Sequence, residues 1–236
     1  MVQLPTLREM LENGVHFGHK TSRWHPKMAP YIFTSKSSVH VVNLEMTAEK
    51  LAQAVEFIKR EAAANKTFIM VGTKKQTGAI VKEAALSCNM PYVNIRWLGG
   101  TITNFDAIKN ATKKFKKQKE ELELAAAGKS DLSKSELSKI RKEVARGEKF
   151  LGGLVGMERK PDVMIIFGSH DEKIALKEAK VVKIPVVALV DTNADPEAVE
   201  FAIPANDDAT KSVALFANLF AAVINEAKSK TASVGK

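Results

Sequence analysis

Three groups of residues in this sequence have the types and spacing to do chemistry. The first is a turn. Gly72-Thr73-Lys74-Lys75-Gln76-Thr77-Gly78 follows an apolar run and opens a helical one. Backbone N–H groups at such a helix start attract anions. The turn is not a nucleotide-hydrolysing loop, because Gly78 comes six positions after Gly72 and precedes Ala79, whereas a P-loop needs five and a following Lys-Ser/Thr. Gly152-Gly153-Leu154-Val155-Gly156 does not fit a dinucleotide fingerprint either. What remains is a loop whose Lys74, Lys75 and amides can hold a phosphate of any polyanion. The second group is His16, His19 and His25 with the single cysteine, Cys88. A structural zinc site pairs its ligands at both ends, and the second pair is lacking, so no metal is expected. The third group is Asp191, Asp195, Asp207 and Asp208, near the C-terminal edges of late strands, where α/β sheets bind ligands. Asp195-Pro196-Glu197 reads as an N-cap followed by proline at the first helical position. Asp207 and Asp208 precede the last helix, where negative charge suits the macrodipole. Asp191 has no such role. With the Gly72 loop it supports an alternative function, a metal-dependent phosphate-ligand enzyme of doubly wound fold. No Ser/His/Asp or Cys/His combination presents itself, so no catalytic residue, cofactor or small-molecule substrate is expected.

The cations are more telling. Lys109, Lys113, Lys114, Lys116, Lys117 and Lys119 crowd one short stretch around Phe115, and Arg141, Lys142, Arg146 and Lys149 crowd another. Charge runs are usually solvated helix faces. Here Glu120, Glu121 and Glu123 follow the lysines instead of interleaving with them, and segregated positive charge is what tracks a phosphate backbone. Arg23-Trp24 and Arg96-Trp97 each set a guanidinium beside an indole. Such pairs stack on unpaired bases or serve as buried anchors.

These side chains need elements to position them. Thr6-Leu7-Arg8-Glu9 is a capping box for a short helix ending at Gly14. A loop carries residues 15–27, followed by a hairpin of strands at 31–33 and 39–42. Thr47 caps an amphipathic helix through Leu51, Val55, Ile58 and Ala62. Apolar strands at 68–71, 92–95, 163–167, 185–190 and 201–203 then alternate with helices near 76–87 and 173–182, and a last helix carries Val213, Phe216, Phe220 and Ile224. Continuously apolar strands between helices predict a parallel sheet covered on both faces. The expected fold is α/β: a doubly wound, mainly parallel five-stranded sheet in three layers, flavodoxin-like, with strand order 2-1-3-4-5.

Between 105 and 150 the alternation stops. Ile108, Phe115 and Leu122 are seven apart, with Ala111 and Ala125 filling in, and Leu137, Ile140 and Val144 follow a second capping box, Ser133-Lys134-Ser135-Glu136. This pattern predicts an inserted antiparallel coiled-coil hairpin with a thin seam. Residues 1–104 and 151–227 together form one α/β domain in this reading, 105–150 the insertion, and 228–236 a disordered tail.

Bulk properties agree. Of 236 residues, 45% are hydrophobic, enough for a sizeable core, and 36 Lys plus Arg against 27 Asp plus Glu leave a net charge of +9 that favours a polyanion partner. One cysteine excludes an intramolecular disulfide. The N-terminal residues lack the basic-then-apolar pattern of a secretory leader, and no apolar stretch approaches the ~20 residues of a membrane span. A soluble cytoplasmic protein with no membrane contact is expected.

Several blocks resemble a known family. Gly14-Val15-His16-Phe17-Gly18-His19, then Arg23-Trp24-His25-Pro26-Lys27-Met28, is similar to the N-terminal signature of the bacterial-type small-subunit ribosomal protein two family. Val71–Gln76, Arg96–Phe105, Ile184–Pro196 and Ile203–Ala209 match further blocks in the family's order. The resemblance implies an α/β domain with a coiled-coil hairpin and no catalytic residues. It also implies binding to small-subunit ribosomal RNA between head and body, with neighbouring ribosomal proteins as partners, and help in recruiting small-subunit protein one for translation initiation. The expected RNA-binding set is His16, His19, Lys20, Arg23, Trp24, Lys27, Lys74, Lys75, Arg96, Trp97, Asn104, Lys109, Lys113, Lys114, Lys116, Lys117, Arg141, Lys142 and Arg146. Two departures bear on local turns: Ala205 stands where the family usually has Gly, and Gly168-Ser169 where it often has Asp-Pro.

Overall fold

The structure is a computed structural model that describes residues 2–127 and 132–234. Thr6 opens α1 (Leu7–Glu12) as the capping box predicts: its hydroxyl accepts from the Glu9 amide, and the Glu9 carboxylate accepts from the Thr6 amide at 2.7 Å. The expected loop that follows is partly strand. β1 (Phe17–Lys20), β2 (Ile32–Lys36) and β3 (Val39–Val42) make a small antiparallel sheet in the order β1-β3-β2. No residue of β1 is buried, so it lacks the apolar alternation that marks a strand in sequence. It docks through the Thr192 hydroxyl, which accepts from the His19 amide at 2.8 Å.

Helix α2 (Leu44–Ala63) begins earlier than the sequence suggests. Its N-cap is Asn43, not Thr47: the Asn43 side chain accepts from the amides of Glu45 and Met46. Thr47 lies inside the helix, fully buried, and its hydroxyl donates to the Pro204 carbonyl at 2.6 Å. Both residues are good caps; tertiary contact with residue 204 decides between them.

The chain then runs through β4 (Phe68–Val71), α3 (Gly78–Ser87), β5 (Tyr92–Val93), α4 (Phe105–Ala126), α5 (Lys134–Leu151), β6 (Val163–Phe167), α6 (Lys173–Val182), β7 (Val186–Val190), β8 (Phe201–Pro204) and α7 (Thr210–Val234). Five parallel strands pair in the order β5-β4-β6-β7-β8, which is the expected 2-1-3-4-5. Register runs Phe68↔Val163, Met164↔Val186 and Val187↔Phe201. β5 is shorter than expected: the chain leaves the sheet after Val93 and bends at Ile95, and the Asn94 carbonyl lies where a Cβ on Gly78 would come within 2.3 Å.

Alternate residues of each strand face opposite layers. Phe68, Met70, Ile165, Phe167, Leu189 and Ile203 pack with α2, α3 and α7, whose Phe216 and Phe220 are fully buried. Ile69, Val71, Ile166, Ala188 and Val190 face α6 and the segment containing Trp97, Ile102 and Phe105. Each fully buried large apolar side chain contributes about 1.5–3 kcal/mol.

Helices α4 and α5 pack on each other in antiparallel sense: Phe115 meets Gly147, and Gln118 hydrogen-bonds Glu143. Every residue assigned to the seam, from Ile108 to Val144, is buried or half-buried, while Leu124 is exposed. The disordered tail expected from 228 onward differs from the structure, in which α7 stays helical to Val234 and Lys230 pairs with Glu226 one turn earlier. The remainder of that stretch lies outside the described residues.

Candidate nucleic-acid interface

In a sheet of this order the ligand crevice lies between the first and third core strands, here β4 and β6. Their outgoing loops hold Lys74 on one side and Gly168–Glu172 on the other. Gly168 has φ +118°, open to glycine and strained for other residues, so the departure from Asp-Pro is accommodated by a different turn. The crevice is filled from within. Lys74 Nζ lies 2.6 Å from Asp207 Oδ1, 2.8 Å from Asp208 Oδ1 and 3.2 Å from Asp171 Oδ2, and only 12% of its side chain is exposed. Burial disfavours its charge, but the Asp207 and Asp208 carboxylates outweigh that and hold its pKa above the ordinary lysine value. Lys74 is therefore not the free phosphate-binding lysine that the sequence suggested: its three donors face three carboxylates.

Asp207 is fully buried. Burial and the neighbouring Asp191 charge raise its carboxyl to about 7 against the pull of Lys74. Its Oδ2 makes no hydrogen bond among the described residues. Asp207 and Asp208 precede α7 as expected, and Asn206 adds a contact there, its side-chain oxygen accepting from the amides of Asp208 and Ala209. Asp191 is a local hub. It accepts from the Thr192 amide and hydroxyl and from the Asp207 amide, and its Oδ1 lies 3.0 Å from His19 Nδ1. His19 Nε2 lies 3.4 Å from Asp208 Oδ2. The Asp191 carboxylate raises the His19 pKa. Ligand atoms of His19, Asp191 and Asp208 fall within 4.8 Å of one another, a spacing that could hold a cation. Neither Cys88 nor His16 nor His25 joins them. Asp195 caps the turn at 196–198 as read from sequence, accepting from the Glu197 amide.

A further buried acid, Glu178, was not singled out in the sequence. Glu178 on α6 accepts from Trp97 Nε1 (3.0 Å), from the amides of Gly100 (2.7 Å), Ile102 (3.0 Å) and Thr103 (3.1 Å), and from the Thr103 hydroxyl (3.1 Å). Burial pushes its pKa up, but these donors win and hold it below the ordinary value. Trp97 is 5% exposed, so it is an anchor, not a stacking platform. One signal was available: Glu178 falls on the face of α6 that carries Ala175 and Ala179, where a charged residue needs partners.

The remaining predicted residues divide by exposure. Lys20, Arg23, Lys75, Arg96 and Asn104 are exposed, as is Trp24 at 42%. His16 is half-buried against Phe17, and burial lowers its pKa. Lys27 is tied to Asp195 and Glu197. On α4 and α5, Lys114 faces Glu143 at 3.6 Å, Lys117 faces Glu121 at 4.0 Å, and Lys109 donates to the Glu158 carbonyl. Lys113, Lys116, Arg141, Lys142 and Arg146 are exposed without an ion-pair partner among the described residues. Residues 105–150 contain 13 Lys and Arg against 8 Asp and Glu, so this fifth of the chain holds five of its nine excess positive charges. Two concavities gather them: Lys109, Lys113 and Lys116 line one beside Val155–Glu158, and Lys114, Arg146 and Arg96 line another beside Leu98 and Gly99. The arrangement can bind phosphates at several points, and among the described residues it offers no aligned nucleophile and base.

Among the described residues no helix is long and apolar enough to cross a membrane. The family model described as Ribosomal protein S2 matches residues 10–227.

Proposed function

The chain belongs to the ribosomal protein S2 family, and from that premise we propose that it binds small-subunit ribosomal RNA mainly through the cations of α4, α5 and the Arg96 loop. The family is one of structural ribosomal proteins, so the chain is a small-subunit component of the translation apparatus and not a member of an enzyme family. The observation that carries the RNA reading is the set of exposed cations Lys113, Lys116, Arg141, Lys142 and Arg146, which have no ion-pair partner among the described residues, while Glu143 beside them is already engaged by Lys114 and Gln118. Lys20, Arg23, Trp24 and Lys75 extend the proposed surface, while Lys74 and Trp97 contribute by holding their loops. Placement between head and body, help in recruiting small-subunit protein one and residence in the cytoplasm complete the proposal; the family resemblance supports them.

The competing enzyme reading needs a phosphate ligand in the β4/β6 crevice, and there Lys74 already has three carboxylates for company. The test is RNA affinity against salt. If roughly six to ten phosphates are contacted, affinity for the cognate ribosomal RNA falls about 10³- to 10⁵-fold between roughly 50 and 200 mM salt. Charge reversal at Lys113, Lys116 and Arg141 should weaken binding and flatten that slope. A flat response in the unaltered protein refutes the proposal.

A further inference from the structure

We propose that the open concavity lined by α4, α5, α6 and the Arg96–Gly99 loop is a receptor for one unstacked nucleotide of the bound RNA. The inference rests on the RNA-binding reading above and deepens it. The cavity measures about 540 Å³, within the roughly 300–1,000 Å³ of sites that enclose small ligands. Its apolar lining that a base can reach is half-buried Phe150 and Ile174 of α6, which stays 57% exposed; Phe115, 4% exposed, is as covered as Trp97 and only backs them. Its lining also holds three cations, Arg96, Lys114 and Arg146.

Either half alone would be unremarkable. Together they match a nucleotide, with a flat face that needs stacking and a phosphate that needs a cation. The charge balance selects against an apolar side chain of a protein neighbour. Glu143 is the one acid in the lining, and Lys114 and Gln118 already engage it, which leaves Arg96 and Arg146 as the uncompensated cations beside the apolar lining. Two features fix the geometry in advance. Glu178 anchors Trp97 and the three amides that follow, so Arg96 leaves a rigid loop. Gly147 lets α5 approach Phe115 so closely that a Cβ there would fall 2.3 Å from the ring. The ring that shares this lining with Arg96 and keeps some exposure is Phe150, brought in by the fold, and not the adjacent, buried Trp97.

The test is base-specific chemical modification of small-subunit ribosomal RNA bound to the full chain, with hydroxyl-radical footprinting of the backbone in parallel. The unaltered protein should shield at least one unpaired base. Phe150→Ala should raise the reactivity of that base by roughly 5- to 150-fold, the range that corresponds to losing one aromatic stacking contact, and Ile174→Ala, which removes only an aliphatic contact, should raise it by less, while the backbone footprint persists. Ile174 is exposed, so its variant keeps the fold, and a circular dichroism melt checks both. An intact backbone footprint with no base that responds to either variant overturns the nucleotide pocket and leaves the RNA-binding reading standing. Absence of any footprint from the unaltered protein overturns both.

Discussion

Replacing Glu178 by alanine should be among the most damaging single changes in this protein. The carboxylate gathers five donors, and two of them, Trp97 Nε1 and the Ile102 amide, are in fully buried hydrogen bonds. The Gly100 and Thr103 donors are partly buried and can turn to water. Each buried donor left without an acceptor costs about 1–3 kcal/mol, so the two together cost roughly 2–6 kcal/mol, against a total stability of about 5–15 kcal/mol for a domain. Glu178→Gln should lose about half as much, since one oxygen survives for Trp97 and Gly100 while the new NH₂ opposes the Ile102 amide. Urea unfolding followed by far-ultraviolet circular dichroism measures the stability. Tryptophan emission in a Trp24→Phe background reports Trp97 alone, and Glu178→Ala should shift it to the red before any urea is added. The pH dependence has a defined sign. Glu178 titrates below its ordinary value of 4.5 in the folded state, so its contribution is complete above that pH and fades as pH falls through the folded pKa. A loss under about 1 kcal/mol with unchanged Trp97 emission would refute the role assigned to this carboxylate.

Three further outcomes are expected. Lys74→Met strands Asp171, Asp207 and Asp208 and should cost about 3–5 kcal/mol near neutral pH. The loss should shrink in acid, where Asp207, already near 7, takes a proton, and the salt slope of RNA binding should not change; unfolding at two pH values measures the first part, and a reduced slope without destabilisation would restore Lys74 to the RNA surface. His19 should titrate above 6.5 and His16 below it in a proton NMR titration; since the His19 pKa is raised, its contribution to stability is complete below 6.5 and lost as pH rises through the folded value. Gly147→Ala should destabilise by about 1–3 kcal/mol through overpacking against Phe115. In a double-mutant cycle Phe115→Ala should relieve that cost, and strict additivity would mean the two helices are not as close as described.

Local rules carried the sequence reading a long way. The five parallel strands follow from apolar runs spaced by helical periods, because a strand buried on both faces must be apolar throughout; their order is a property of the packed sheet, which agrees with the expected 2-1-3-4-5. The capping boxes at Thr6 and Ser133 close between residues three apart, so they too are legible one segment at a time. The half-buried face of α4 and α5 follows from spacing, and so do the exposed cations beside it. Tertiary structure decided what depends on distant partners. Lys74 reads as a phosphate-binding lysine until Asp207, 133 residues away, takes its ammonium. Trp97 reads equally as anchor or platform until Glu178 accepts its N–H. Thr47 loses the cap to Asn43 because its hydroxyl is spent on Pro204, and β1 exists because β3 and Thr192 give its backbone partners. The sequence states how many charges and donors the chain has and which segments carry them. Which of them remain free to meet RNA is set by folding, since each internal ion pair or buried hydrogen bond removes a group from the surface.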